Sequence, residues 1–254
     1  MTHSPSKLLV LQSAPPVRPA WINRCLASVE AWAEQRGIER LLIGDELFDP
    51  VPPKWRAAAG PEKLPVTDYA RLLWIRRLLD EGHDQIVWLD ADILMLDPAF
   101  IPPPGDFFCR ELWVYRLKDG RDGALDAVNN CAMGFTAGSP LLAWYLSACA
   151  DAPEAGPVKR LALGPDMLKR RHRAEPLPLT EAIPTLSPRL VYGILRGDEA
   201  LLDTFRWEWP APIAAAHLCS SLGEKDSPGG GVLQGAAMNE LIEKLLTGVL
   251  HDRP

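Results

Sequence analysis

Apolar and polar positions follow two rhythms along this chain. Leu8-Leu9-Val10-Leu11 is a short unbroken apolar run, the pattern of a strand buried on both faces of a parallel sheet. Ile22, Cys25, Leu26, Val29, Trp32 and Ala33 then recur at helical spacing and make one apolar stripe. Arg36-Gly37 closes that helix, because glycine fits the left-handed position past a helix end. Residues 40–44 read as a second strand. Thr67 is placed to cap a helix running to about residue 81, with Leu72, Ile75 and Leu79 facing inward and Gly82 as its stop. Residues 85–89 read as a third strand that runs directly into Asp90-Ala91-Asp92. This alternation predicts an α/β fold with a mostly parallel sheet and right-handed crossovers. Ligands of such sheets bind at the carboxyl ends of the strands, where Asp90 and Asp92 fall.

The second half is less regular. Residues 107–109 and 112–115 look like strand pieces, 131–136 like a further strand, and 213–217 like a last one. Ser139-Pro140 opens a helix to about residue 150, with serine at the cap and proline in the first turn. Residues 166–173 form a short helix. Gly229-Gly230-Gly231 is a breaker, after which Met238, Leu241, Ile242, Leu245 and Val249 give a terminal helix an inward face. Most of the 25 prolines lie in the connections, and no internal repeat is evident.

Composition narrows the classes. The 254 residues, 47% hydrophobic and 24% charged, suit one globular domain with a substantial core. The formal charge of −6 is spread along the chain, so no nucleic-acid partner is expected. Lys169-Arg170-Arg171-His172-Arg173 is a compact basic cluster that reads as a solvated helix end, or else as a contact for an anionic group. No apolar run approaches the roughly 18 residues of a membrane span, so no transmembrane segment is expected. The start lacks a signal-peptide pattern, so a cytoplasmic location is expected. The five cysteines are scattered without a CxxC, which points to buried thiols.

The chemistry centres on Val87-Trp88-Leu89-Asp90-Ala91-Asp92. Two carboxylates separated by one residue point the same way if the chain stays extended. Beyond a buried strand they need a cation, and hard divalent ions such as manganese or magnesium take oxygen ligands shared with phosphates. Asp68 and Arg71, three apart, share a helix face.

Thr67-Asp68-Tyr69-Ala70-Arg71, followed by Trp88-Leu89-Asp90-Ala91-Asp92, resembles the heart of GT-A glycosyltransferases. The likeness is to the DxD sugar-binding group, with its capsular-polysaccharide and mannosyl-type transferases, and to the related glycogenin-like class. It covers approximately residues 65–222. The resemblance implies a GT-A-like single domain over 1–254, with a donor half at about 1–100, an acceptor half at about 101–222 and a terminal helix at about 232–250. It implies that Asp90 and Asp92 hold Mn2+ or Mg2+ and the diphosphate of a UDP- or GDP-sugar. Asp68 and Arg71 would contact the donor. Asn129-Asn130-Cys131-Ala132-Met133-Gly134-Phe135 is similar to the strand lining the sugar pocket, which gives Asn130 a role there. Ala216-His217-Leu218 resembles the late histidine segment, which makes His217 a third metal ligand. Gly164-Pro165-Asp166 resembles an acceptor-side pair, so Asp166 would orient a sugar or acceptor hydroxyl, or else simply serve the helix N-terminus. The glycogenin class has a lysine six residues after the histidine; here Lys225 is eight on.

The expected reaction moves a hexose to a hydroxyl of a carbohydrate, protein or small molecule, with retention implied by the resemblance. Inversion would need a carboxylate base, for which Asp166 is the candidate. Trp207 and Trp209 could flank an acceptor or pack in the core, and residues 228–231 could act as a lid. Three other readings compete. Asp90-Ala91-Asp92 also fits a haloacid-dehalogenase-like phosphatase, but a complete strand–helix–strand–helix unit precedes it. A nucleotidyltransferase would carry a glycine-rich loop after the first strand, where Gln12–Arg18 has no glycine. A non-catalytic nucleotide-sugar-binding protein is the third.

Overall fold

The computed structural model describes residues 7–209, 211–219 and 235–250. Three strands, β1 (Leu8–Ser13), β2 (Glu39–Ile43) and β3 (Gln85–Leu89), run parallel. Helix α1 (Ala20–Arg36) links the first two; α2 (Pro53–Ala59) and α3 (Lys63–Asp80) link the next. All five residues of β3 are buried, which is why its sequence is an apolar run without alternation. Gly37 ends α1 at φ 64°, the left-handed position expected of it.

Beyond β3 lies the short β4 (Ile93–Met95), then a long ribbon of β5 (Phe107–Arg116) and β6 (Asp122–Thr136). Helices α4 (Pro140–Asp151) and α5 (Pro165–Ala174) precede β7 (Leu179–Thr180). Next come α6 (Pro188–Arg196), α7 (Glu199–Glu208), β8 (Ala215–His217) and α8 (Gly235–Leu246). The main sheet has the order β2-β1-β3-β6-β5-β7, with β6 antiparallel to both neighbours and the other five strands codirectional. A second sheet pairs β4 with β8. This is a GT-A-like, mixed and mostly parallel sheet flanked by helices.

The pleat divides the core. Leu9, Leu11, Ile86 and Trp88 pack with α3 and α4 on one face. Val10, Val87 and Leu89 pack with Val29 and Trp32 of α1 on the other. A third cluster joins α6, α7 and α8 to the start of α1. Its members Met238, Leu241, Ile242 and Leu245 are the inward face expected of the terminal helix.

Several local expectations change. Thr67 is not a cap: α3 begins a turn earlier, and Thr67 Oγ1 donates back to the Lys63 carbonyl at 3.1 Å. Pro65 is tolerated because it lies in the first turn, where its missing N–H has no helical partner. The two strand pieces at 107–115 are one strand. The strand at 131–136 is the buried end of a ribbon whose first half, from Asp122, is mostly solvent-facing and so lacks an apolar signature. Ser139 caps α4 as expected, accepting from Leu142 N at 2.9 Å. All five cysteines are free and buried. No described helix is long and apolar enough to cross a membrane.

Candidate active site

The Asp90–Asp92 segment leaves β3 at the centre of the sheet. It does not stay extended. Ile93 N donates to the Asp90 carbonyl at 3.1 Å, so a tight turn rather than strand alternation brings the two carboxylates together. The turn is held from both sides: Asp90 N donates to the Cys131 carbonyl at 2.8 Å, and Leu218 N to the Asp92 carbonyl at 3.0 Å. The first bond comes from β6 and the second from the end of β8, where Ile93 pairs with His217.

That pairing delivers the imidazole. His217 Nε2 lies 3.3 Å from Asp92 Oδ1 and 3.8 Å from Asp90 Oδ2. One ligand atom from each of the three residues falls within a 4.8 Å group. His217 Nδ1 is 3.1 Å from Thr185 Oγ1. A proton on Nδ1, donated to that hydroxyl, leaves the Nε2 lone pair facing the carboxylates. Two carboxylates and an imidazole fit manganese or magnesium. Burial alone would hold His217 neutral; Cys131 and Asp92 beside it outweigh that and raise its pKa well above the ordinary value. Burial pushes the Asp90 carboxyl up, against the pull of Arg71 and His217. With no metal bound, a protonated His217 and Arg71 therefore balance the two carboxylates.

Asp68, Arg71 and Asn130, three expected donor contacts, form one buried network behind this cluster. Arg71 Nη1 donates to Asp90 Oδ1 and to the Asn130 carbonyl, both at 3.0 Å, while Nη2 donates to Asp68 Oδ1. Asn130 Nδ2 donates to Asp68 Oδ1 at 3.0 Å and to the Tyr145 hydroxyl at 3.2 Å. Trp88 Nε1 donates to Asp90 Oδ1 at 2.6 Å. Arg71 is thus no surface ion-pair member; at 4% exposure it is a buried cation with two carboxylates around it.

A register shift in the ribbon explains the crowding of polar groups. Phe108 pairs with Met133 and its neighbour Cys109 with Asn129, so Asn130, Cys131 and Ala132 are extra residues on β6. Such a bulge re-aims side chains. Consecutive Asn129 and Asn130 here both line the same cavity.

That cavity, of about 650 Å3, opens over Asp90 and Asp92. Its volume is in the range of small-molecule sites, roughly 300–1,000 Å3. Ser13 and Gly44, at the ends of β1 and β2, line one side; Glu111 and Trp113 of β5 line the other. Lys63 and Arg160 add positive charge to the wall. Glu111 escapes the sequence reading, although a charged pair, Arg110-Glu111, inside an apolar strand run was its signal. It is 7% exposed and accepts from Asn129 Nδ2 at 3.0 Å. Burial raises its pKa, partly opposed by that bond.

Asp166 sits in the first turn of α5 beside the cavity, whose wall there is Pro165. Trp209 is core, stacked on Phe205 and donating to the Glu181 carbonyl at 3.0 Å. Trp207 is 84% exposed. Lys225 and the expected lid at 228–231 lie outside the described residues.

No protein-family profile and no curated protein sequence matches the chain. Solved structures do. A glycosyltransferase involved in the glycosylation of the major capsid of PBCV-1 is 11% identical, with a TM-score of 0.50, over 93% of this chain and 98% of that one. Mouse xyloside xylosyltransferase 1, in its apo form, is 14% identical, with a TM-score of 0.47, over 85% and 98%. The PaToxG glycosyltransferase is 13% identical, with a TM-score of 0.39, over 96% and 86%. At such identities the likeness to the first of these shows a shared fold.

Proposed function

We propose that this chain is a metal-dependent glycosyltransferase that moves a hexose from a nucleotide-diphosphate sugar to an acceptor hydroxyl, with retention at the anomeric carbon. The observation that carries the reading is the convergence of Asp90, Asp92 and His217 in the wall of a cavity at the carboxyl end of the sheet. Residues 1–100 form the donor half and later segments the acceptor half. Asp90, Asp92 and His217 would hold Mn2+ or Mg2+, which when bound supplies Lewis-acid stabilisation of charge on the leaving diphosphate.

The chain's own groups do the rest. Lys63 and Arg160 offer charge to the phosphates. Asp68 and Asn130 present polar atoms to the sugar. Arg71 fixes Asp68 and Asp90 relative to one another, so the donor site is ordered before a ligand arrives. Gly164 packs against this network: a Cβ there would lie 3.1 Å from both Asn130 Nδ2 and Asp68 Oδ2. Asp166 orients the acceptor side from the first turn of α5, which Gly164 precedes. The natural partners are a UDP- or GDP-sugar and an acceptor in the cytoplasm, with no nucleic acid.

Calorimetry with UDP and GDP, each with and without manganese, tests the reading. One nucleotide is expected to bind, and only with the metal. Folded protein that binds neither would reject a UDP- or GDP-sugar donor. NMR of the first-formed product then reads the stereochemistry, and an inverted anomer would reject retention.

A further inference from the structure

We infer that Glu111 and Trp113 form the acceptor subsite, built for the pyranose ring of a carbohydrate. The assignment rests on the transferase reading for its name, and on the geometry of β5 for its place. Glu111 and Trp113 are two apart on one strand and therefore share a face. Both line the cavity, whereas Leu112 and Val114 point the other way into the cluster around α6 and α8.

The sheet order sets their position relative to the metal cluster. β1 and β2 lie to one side of β3, which carries Asp90 and Asp92 at its end; β6 and then β5 lie to the other. At about 4.8 Å between strands, β5 stands roughly 10 Å across the sheet from β3. A donor diphosphate centred on Asp90 and Asp92, with its nucleoside toward Ser13 and Gly44, leaves the β5 side for the acceptor.

The two side chains suit a sugar. An indole gives a flat apolar face for the C–H face of a pyranose and an N–H at its edge. Trp32, Trp55, Trp74, Trp88 and Trp209 all spend their indole N–H on a partner within the protein. Trp21, Trp113, Trp144 and Trp207 have no described partner for theirs, and of these four Trp113, half-buried, is the one that lines the cavity. Asn129 bonds Oε1 of Glu111 and steadies the carboxylate, which has acceptor capacity left for a hydroxyl. A carboxylate only 7% exposed with one amide partner is otherwise a poor use of a core position.

Saturation-transfer NMR on the full chain with diamagnetic magnesium and UDP or GDP tests this. The probes are the methyl α- and β-pyranosides of glucose, galactose and mannose. At least one is expected to receive saturation at its ring protons. Trp113→Ala is expected to weaken that probe about tenfold, and Glu111→Gln to weaken it less, since a carboxamide oxygen still accepts. Nucleotide–magnesium affinity should stay within about twofold in both variants, and circular dichroism checks their folding. Probe binding that is unchanged in both variants overturns the subsite. So does nucleotide binding without any glycoside binding, which would favour a hydroxyl on a protein or small molecule. Glycosides that bind through Trp113 in a protein that binds neither nucleotide would uphold the subsite and sink the transferase reading. Binding of neither class rejects both.

Discussion

Arg71 joins Asp68 and Asn130 to the cluster of Asp90, Asp92 and His217. One guanidinium bonds Asp68, Asp90 and the Asn130 carbonyl, and lies 5.5 Å from the centroid of the Trp88 ring. Asp92 faces His217, with Oδ1 3.3 Å from Nε2. Asp92→Ala should therefore leave the fold intact and abolish transfer, read by an unchanged circular dichroism spectrum and lost manganese binding in calorimetry. Unchanged turnover and metal response would remove Asp92 from the site. Thr185 is fully buried and its hydroxyl meets His217 Nδ1. Thr185→Val should weaken manganese about 10- to 100-fold with all three ligands in place, and Thr185→Ser should restore it. Asp68, Arg71, Asp90, Asp92, Asn130 and His217 are legible because each sits in a short motif with a chemical purpose. Glu111, Thr185 and Tyr145 belong to no such motif. Only the fold brings them to the site.

At the level of elements, burial decides what a sequence reveals. β3 is covered on both faces and shows as an apolar run, whereas the exposed half of β6 at Asp122–Ala127 shows nothing. α6 and α7 pass unnoticed although Ser187 and Asp198 cap them, accepting from Leu190 N and Leu201 N at 3.3 Å each. Ser187-Pro188 repeats the signal that marks α4 at Ser139-Pro140. Tight approach also fixes the ribbon. Gly134 faces Phe107 across the strands, and a Cβ there would come within 2.3 Å of the ring. Gly134→Ala should cost about 1–3 kcal/mol by denaturant titration, as overpacking does. Arg189 ties the ribbon to α6 and α7, donating to both oxygens of Asp122 at 2.8 and 2.9 Å and to Asp198 at 2.9 Å. The Arg189 hydrogen bonds lower the Asp122 pKa, so the folded state holds this carboxylate ionised below its unfolded value of about 3.9. Its contribution is then present above about pH 4 and lost as pH falls through the depressed value. Asp122→Asn should narrow the difference between wild-type and variant stability as a denaturation series moves from pH 6 toward pH 3; a constant difference would show that the pair contributes nothing.

Across the whole molecule, the candidate site joins parts of the chain that are far apart. Its carboxylates leave the central strand, its imidazole comes from the small second sheet, and three core clusters meet around it. Manganese at a hundredfold its dissociation constant should add about 2.7 kcal/mol of stability, seen as a raised melting temperature that a chelator reverses. Asp92→Ala should show no such rise. The pairing of β4 with β8 also has a temporal meaning. Asp92 emerges from a ribosome about 125 residues ahead of His217. At about 5–20 residues per second that is a delay of roughly 6–25 s, during which a nascent chain has Asp90 and Asp92 but not His217. Ile93 finds its strand partner only when synthesis has passed His217, so the ligand set closes late. A fragment ending before residue 215 would therefore carry Asp90 and Asp92 without the strand that brings His217 beside them.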